Sequence, residues 1–109
     1  MDFIPAPYIY NAKLIRVVDG DTIVVLIDFG LGLTQPWHVR LLGINAPELN
    51  TVEGKTARSF LTSIIESKPL TVRSVRFDKY GGRIDGDVFA GDINLSQTMI
   101  NNGMAVKYR

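Results

Sequence analysis

At 109 residues, 46% of them hydrophobic and 21% charged, the chain has the size and composition of one folded domain, which excludes disorder, collagen-like repetition and coiled coil. It has no cysteine and one histidine, so disulfide frameworks, thiolate zinc sites, cysteine nucleophiles and histidine metal clusters are excluded as well. The net charge of +1 argues against a protein that grips nucleic acid by bulk positive charge.

The charges are unevenly spread. Residues 1–54 carry three bases (Lys13, Arg16, Arg40) against six acids, net −3, while residues 55–109 carry nine bases against five acids, net +4. Folded together, two such halves could hold a cation and an anionic substrate side by side. The longest aliphatic run, residues 23–27, is far short of a membrane span, and no basic stretch precedes an apolar one at the amino terminus. The expectation is a monomer with no membrane association, cytoplasmic by default.

Residues 12–18 and 22–28 are rich in Ile and Val and flank Asp19-Gly20-Asp21, which predicts a hairpin. Residues 29–36, with Gly30, Gly32 and Pro36, predict a loop, after which residues 37–42 resume a strand with Val39 and Leu41 on one face. Between Glu53 and Ser67, Ala57, Phe60, Leu61, Ile64 and Ile65 recur at the spacing of one helix face, and Lys68-Pro69 stops the helix. Residues 70–77 return to strand chemistry, residues 78–82 form a turn, and residues 84–89 give a strand weakened by Gly86. A short helix is expected to start at Asn94, with Gln97 reaching back to complete the cap, and to end at Gly103.

Three strands, a helix, two strands and a short helix is the order of a five-stranded Greek-key barrel of the oligonucleotide-binding type. An open antiparallel α+β sheet is the alternative. The expected organisation is a single mainly-β domain over residues 1–109, with residues 1–10 as an amino-terminal extension.

Four segments combine charge with turn chemistry: Asp19-Gly-Asp21-Thr22, Arg40, Ala46-Pro47-Glu48 and Asp78-Lys-Tyr-Gly-Gly-Arg83. Each has an ordinary structural explanation. Asp19 and Asp21 suit a hairpin whose carboxylates bond nearby amides, Glu48 suits a solvated strand end, and Lys79, Tyr80 and Arg83 suit an exposed turn. Arg40 interrupts the apolar run Val39-Arg-Leu-Leu42 and needs an anionic partner or a route to solvent. Trp37 and His38 suit a cover over the barrel mouth or core filling. Taken together, the four segments match the needs of phosphodiester hydrolysis: oxygen ligands for a divalent cation, a carboxylate to take a proton from water, and arginines for the charge growing on phosphate.

Arg16-Val-Val-Asp-Gly-Asp-Thr22, Val39-Arg-Leu-Leu-Gly-Ile-Asn-Ala-Pro-Glu48, Asp78-Lys-Tyr-Gly-Gly-Arg83 and Gly91-Asp-Ile-Asn-Leu-Ser-Gln97 through Gly103-Met-Ala105 resemble, in order, the successive blocks of the staphylococcal nuclease, or thermonuclease-like, family. The resemblance implies a calcium-dependent nuclease on an oligonucleotide-binding barrel, cleaving DNA or RNA to 3′-phosphate products. It implies Asp21 as a calcium ligand, Asn45 at the position of the second acidic ligand, and the Ala46 carbonyl as a third oxygen. Glu48 corresponds to the proposed general base, Arg40 and Arg83 to the arginines on the scissile phosphate, and Lys79 and Tyr80 to contacts with the neighbouring phosphate. Asp19 supports the hairpin beside the metal.

The chain departs from the family pattern at Asn45, where the best-known members carry aspartate, and at Gly82, which requires a one-residue bulge if Arg83 is to serve. The loop after Glu48 is short, and the segment ending at Arg109 lacks the carboxyl-terminal helix of longer relatives. Retention of Asp21, Arg40, Glu48 and Arg83 points to an enzyme. The alternative is a nucleic-acid-binding barrel with weakened or lost catalysis.

Overall fold

A computed structural model describes residues 8–78 and 83–108. The first strand, β1 (Tyr8–Asp19), turns through Gly20-Asp21 into β2 (Thr22–Gly30), so the expected first hairpin is present. Beyond it lies a correction. Residues 29–36 form no open loop: β2 runs to Gly30, Leu31-Gly32 make a tight turn, and β3 (Leu33–Leu41) begins at once. Gly30, Leu31 and Gly32 all take positive φ (83°, 56° and 78°), the geometry of a tight hairpin between twisted strands. Pro36 is tolerated because this half of β3 pairs only with β2, and its missing N–H interrupts no second ladder.

A two-residue strand, β4 (Ile44–Asn45), leads to helix α1 (Val52–Ile65), then β5 (Leu70–Asp78) and β6 (Arg83–Ala90). Thr51 caps α1 by accepting a hydrogen bond from the Gly54 N–H at 2.9 Å. The short β7 (Ile93–Asn94) precedes α2 (Leu95–Asn101), and β8 (Val106–Lys107) pairs with β4. Asn94 caps α2 as expected, but the Gln97 side chain does not reach back: it donates to Asn101 at 2.9 Å, one helical turn on. Gly103, with φ of 71°, ends α2, the Met104 N–H closing onto the Met99 carbonyl at 2.8 Å.

The strands run in the order β3-β2-β1-β5-β6, and β3 pairs back onto β6 to close a five-stranded barrel. Closure depends on two features. Residues 8–12 of β1 pair with β5 and residues 11–19 with β2, and register shifts between Leu14 and Arg16 and between Val17 and Asp19 bend the β2-paired part. The β3–β6 pairing is parallel, His38 opposite Arg83 and Arg40 opposite Asp85. With two short helices on this mainly-β frame, the architecture is the oligonucleotide-binding barrel expected from the order of elements.

Ile23, Val25, Ile27, Val39, Leu41 and Val72 fill the barrel, fully shielded from solvent. Helix α1 closes one side by burying Ala57, Leu61 and Ile65, while Phe60 and Ile64 are partly buried on the flank of that stripe. Trp37 is half-buried against the core, edge-on to Phe77, and His38 is exposed. No helix among the described residues is long and apolar enough to cross a membrane.

Candidate active site

The β1–β2 turn starts from Asp19, whose Oδ1 accepts the Asp21 N–H at 3.0 Å in the manner expected of a turn aspartate. That bond turns the Asp21 carboxyl away from its own turn and toward the segment after β4. Its Oδ2 accepts the Ala46 N–H at 2.9 Å and its Oδ1 accepts the Thr22 hydroxyl at 3.0 Å, while its backbone carbonyl accepts the Leu41 N–H at 2.8 Å. One residue thus ties the hairpin, the end of β3 and the loop carrying Asn45 and Ala46 into a single unit.

Two glycines make that loop fit. A β-carbon on Gly20 would stand 2.7 Å from Ala46 Cβ and 2.8 Å from Ala57 Cβ, and one on Gly54 would collide with the Glu48 carbonyl. The 46–48 segment is therefore clamped between the first hairpin and the first turn of α1. The Glu48 carbonyl also accepts the Thr51 hydroxyl at 2.6 Å and the Thr51 N–H at 3.0 Å, and the Arg58 Nε–H reaches the Val17 carbonyl at 3.2 Å to hold α1 against β1.

Burial pulls the Asp21 carboxyl upward, but hydrogen bonds from Asp19, the Ala46 N–H and Thr22, with Arg40 close by, outweigh it and hold the group below its ordinary value. Asp19 moves the other way. Burial raises it first, and sharing a proton with Asp21 raises it further against the opposing pull of the turn N–H groups. Hydrogen bonding thus favours the ionised form of Asp21, on which the loop converges, while burial disfavours that of Asp19.

Arg40 projects from β3 between β2 and β6, opposite Thr22 on one side and Asp85 on the other. Its Nη2 donates to Asn45 Oδ1 at 3.2 Å and lies 3.7 Å from Asp21 Oδ2, and its guanidinium sits over the Tyr108 ring, 5.2 Å from the centroid. Arg40, Asn45, Arg76, Arg83, Asp85 and Tyr108 wall a cleft of about 800 Å³. The three arginines outnumber the one carboxylate, Asp85, which is itself paired with Arg76 at 3.2 Å. Such an excess of guanidinium in a concave site suits a multiply charged anion. A second cavity, of about 790 Å³, lies between β1 and the 66–71 segment and has apolar walls such as Leu14, Leu26 and Leu70 with no gathered arginines.

Of the residues singled out from sequence, Asp21, Arg40, Asn45 and Ala46 are linked by contacts, and Arg83, on the strand paired with that of Arg40, lines the same cleft. Glu48 lies two residues beyond Ala46 with an exposed side chain and is not one of the cleft walls. Lys79, Tyr80 and Gly82 lie outside the described residues. Sequence reasoning missed Arg76, Asp85 and Tyr108. The alternation Arg83-x-Asp85-x-Asp87 on one strand face was a usable signal for Asp85. Tyr108 had none, because it reaches the cleft only through the pairing of two-residue strands, Ile44 with Lys107 and Asn45 with Val106.

Asp21 and Asn45, with the Ala46 carbonyl between hairpin and helix, are oxygen donors of the chemical kind that a hard cation such as calcium takes. Among the described residues no three His, Asp or Glu side chains gather to hold a metal by themselves, so such an ion would draw further ligands from water and substrate. Arg40 hydrogen-bonds the Asn45 oxygen and lies 3.7 Å from that of Asp21, so a cation there would compete with its guanidinium.

The five-stranded barrel closed by parallel pairing of β3 with β6, with two helices, defines the class as an oligonucleotide-binding-type β-barrel. Within it, the chain belongs to the staphylococcal nuclease homologue family, whose model matches residues 38–109. It is 34% identical to an uncharacterized endonuclease of Escherichia coli over 90% of this chain and 61% of the relative. It is 33% identical to a micrococcal nuclease of Shigella flexneri over 97% of this chain and 63% of that protein, and 33% identical to Protein ParB of Escherichia coli over 91% and 58%. The chain spans about three fifths of the length of these relatives.

Proposed function

We propose that this protein is a metal-dependent nuclease that hydrolyses phosphodiester bonds in DNA or RNA, leaving 3′-phosphate ends. The observation that carries the reading is that Arg40 and Arg83, on the paired strands β3 and β6, line one cleft with Asn45, whose loop is tied to Asp21 through the Ala46 N–H. Two guanidiniums held in place can grip a phosphate and stabilise the charge that builds as water attacks, without reorganisation at the moment of reaction. Glu48, on the clamped loop, is the proposed base that takes the proton from the attacking water, and Lys79 and Tyr80 are assigned to the neighbouring phosphate. Asp21, Asn45 and the Ala46 carbonyl would hold calcium, which when bound supplies Lewis acidity and orients water.

A second reading, a binding module without catalysis, is favoured by one observation: Asp21 Oδ2 and Asn45 Oδ1 are already engaged by the Ala46 N–H and Arg40. Digestion of plasmid and of RNA with and without calcium, beside a Glu48→Gln control, separates the two. Calcium-dependent cleavage to phosphatase-sensitive 3′ ends, lost in Glu48→Gln, supports the nuclease; binding with no cleavage at any calcium concentration supports the module. Calorimetry adds a measure of the site itself: the parent should bind calcium weakly, and Asn45→Asp, which restores a formal charge, should bind it more tightly.

A further inference from the structure

Arg40 has three partners of different kinds, and the third is a ring. Asp21 draws its guanidinium by charge at 3.7 Å and Asn45 accepts one N–H at 3.2 Å, both toward the hairpin side. Every such acceptor uses a donor that a phosphate would otherwise take. The face of Tyr108, 5.2 Å from the guanidinium carbon, attracts the cation through the ring quadrupole and uses none of its N–H groups.

The ring is held by backbone rather than by burial. Tyr108 is 56% exposed, so it contributes little to the core. Its position follows from the pairing of β8 with β4 and from the Tyr108 N–H, which donates to the Gly43 carbonyl at 2.9 Å. Gly43 takes φ of 80°, a conformation that suits glycine and turns its segment toward β8. A chain segment 68 positions from Arg40 is thereby laid across it. Asp21, 3.7 Å away, draws the Arg40 guanidinium toward the hairpin, and a ring contact that uses no N–H donor offsets that pull.

We infer that Tyr108 is a positioning residue for Arg40, its ring holding the guanidinium over the cleft with in-plane N–H donors directed to the substrate phosphate. The inference rests on the assignment of Arg40 to that phosphate. It makes Tyr108 act on the rate through Arg40, and not through the fold.

The test compares Tyr108→Phe, which keeps the ring, with Tyr108→Leu, which keeps the apolar bulk and loses the quadrupole. In cleavage assays with calcium, Tyr108→Leu should lower kcat about tenfold with KM little changed, and Tyr108→Phe should stay within about twofold of the parent. Thermal melting should be nearly the same for all three. A second readout is independent of cleavage: in NMR, the Arg40 side-chain protons should carry the ring-current shift of Tyr108 in the parent and Tyr108→Phe, and Arg40 Nε should become more mobile in Tyr108→Leu. Equal kcat values for Tyr108→Leu and Tyr108→Phe would overturn the inference, as would an Arg40 Nε equally ordered in both. A parent that cleaves nothing fails the nuclease reading instead, and the Nε order then decides the contact between Tyr108 and Arg40 on its own.

Discussion

Asp19 and Asp21 are two residues apart on one turn, yet burial and hydrogen bonding push their acidities in opposite directions. The Asp21 contribution to stability is present above its ordinary value of 3.8 and is lost as pH falls through its depressed folded value. Asp19 works with the opposite sign: its contribution is present in acid and is lost as pH rises through its elevated folded value. Asp19→Asn, which keeps the oxygen that accepts the Asp21 N–H, should therefore raise Tm relative to the parent more at pH 7 than at pH 3. Asp21→Asn should lower Tm more at pH 7 than at pH 3. Melting curves across that window check both, and a pH-independent difference for either variant would refute its assignment. At the same scale, Arg40→Ala and Arg83→Ala should each slow single-turnover cleavage by about a hundred- to a thousandfold, the cost of one lost charge-stabilising donor, while binding weakens far less. Lys79→Ala should mainly weaken binding, because an ammonium acts there as a point charge on a neighbouring phosphate. Parent-rate cleavage by Arg83→Ala would remove that residue from the mechanism.

Elements meet in this protein where side chains are smallest. The first hairpin, the 46–48 loop and helix α1 approach so closely that only hydrogen fits at Gly20 and Gly54, with Ala46 and Ala57 as the neighbouring side chains. Gly20→Ala needs no unusual backbone angle, so its cost is purely steric: a β-carbon at 2.7 Å and 2.8 Å from two others forces the loop outward. The expected loss is about 1–3 kcal/mol in denaturant unfolding, with weaker calcium binding by calorimetry because Asn45 and Ala46 move with the loop. Unchanged calcium affinity in a destabilised Gly20→Ala would show that the loop position does not set the site. The sequence marks Gly20 as a turn residue, and the structure keeps it in the turn and adds a close approach to Ala46 and Ala57. Turn propensity is local, whereas the approach of α1 is not.

Across the whole molecule, net charge is +1 while three arginines share one cleft. Affinity for nucleic acid should then come from a few phosphate contacts rather than from a broad basic face. With two or three phosphates neutralised, the logarithm of the binding constant should fall against the logarithm of salt concentration with a slope of about −2 to −3. Binding of a labelled oligonucleotide to Glu48→Gln over a salt series measures it, and a slope several times steeper would mean an extended basic surface is in use.

The sequence by itself determined the five barrel strands, both helices and their order, though not the two-residue strands β4, β7 and β8, because Ile and Val runs, the Ala57 to Ile65 stripe and the Asn94 cap act through neighbours a few residues away. It also marked Asp21, Arg40, Glu48 and Arg83 as charges at strand ends and turns, and the family resemblance added Asn45, Ala46, Lys79 and Tyr80. The tight Leu31-Gly32 hairpin was misjudged as an open loop because glycine and proline signal both, and strand pairing alone distinguishes them. Only the tertiary structure decided which residues share a wall. The parallel closure of β3 on β6 sets Arg40 beside Asp85 and brings Arg83 to the same cleft, and the joining of β8 to β4 lays Tyr108 over Arg40. These contacts join residues about 40 to 70 positions apart, and no local propensity encodes them: they exist because the β3–β6 closure and the separate β4–β8 pairing satisfy backbone hydrogen bonds between distant strands.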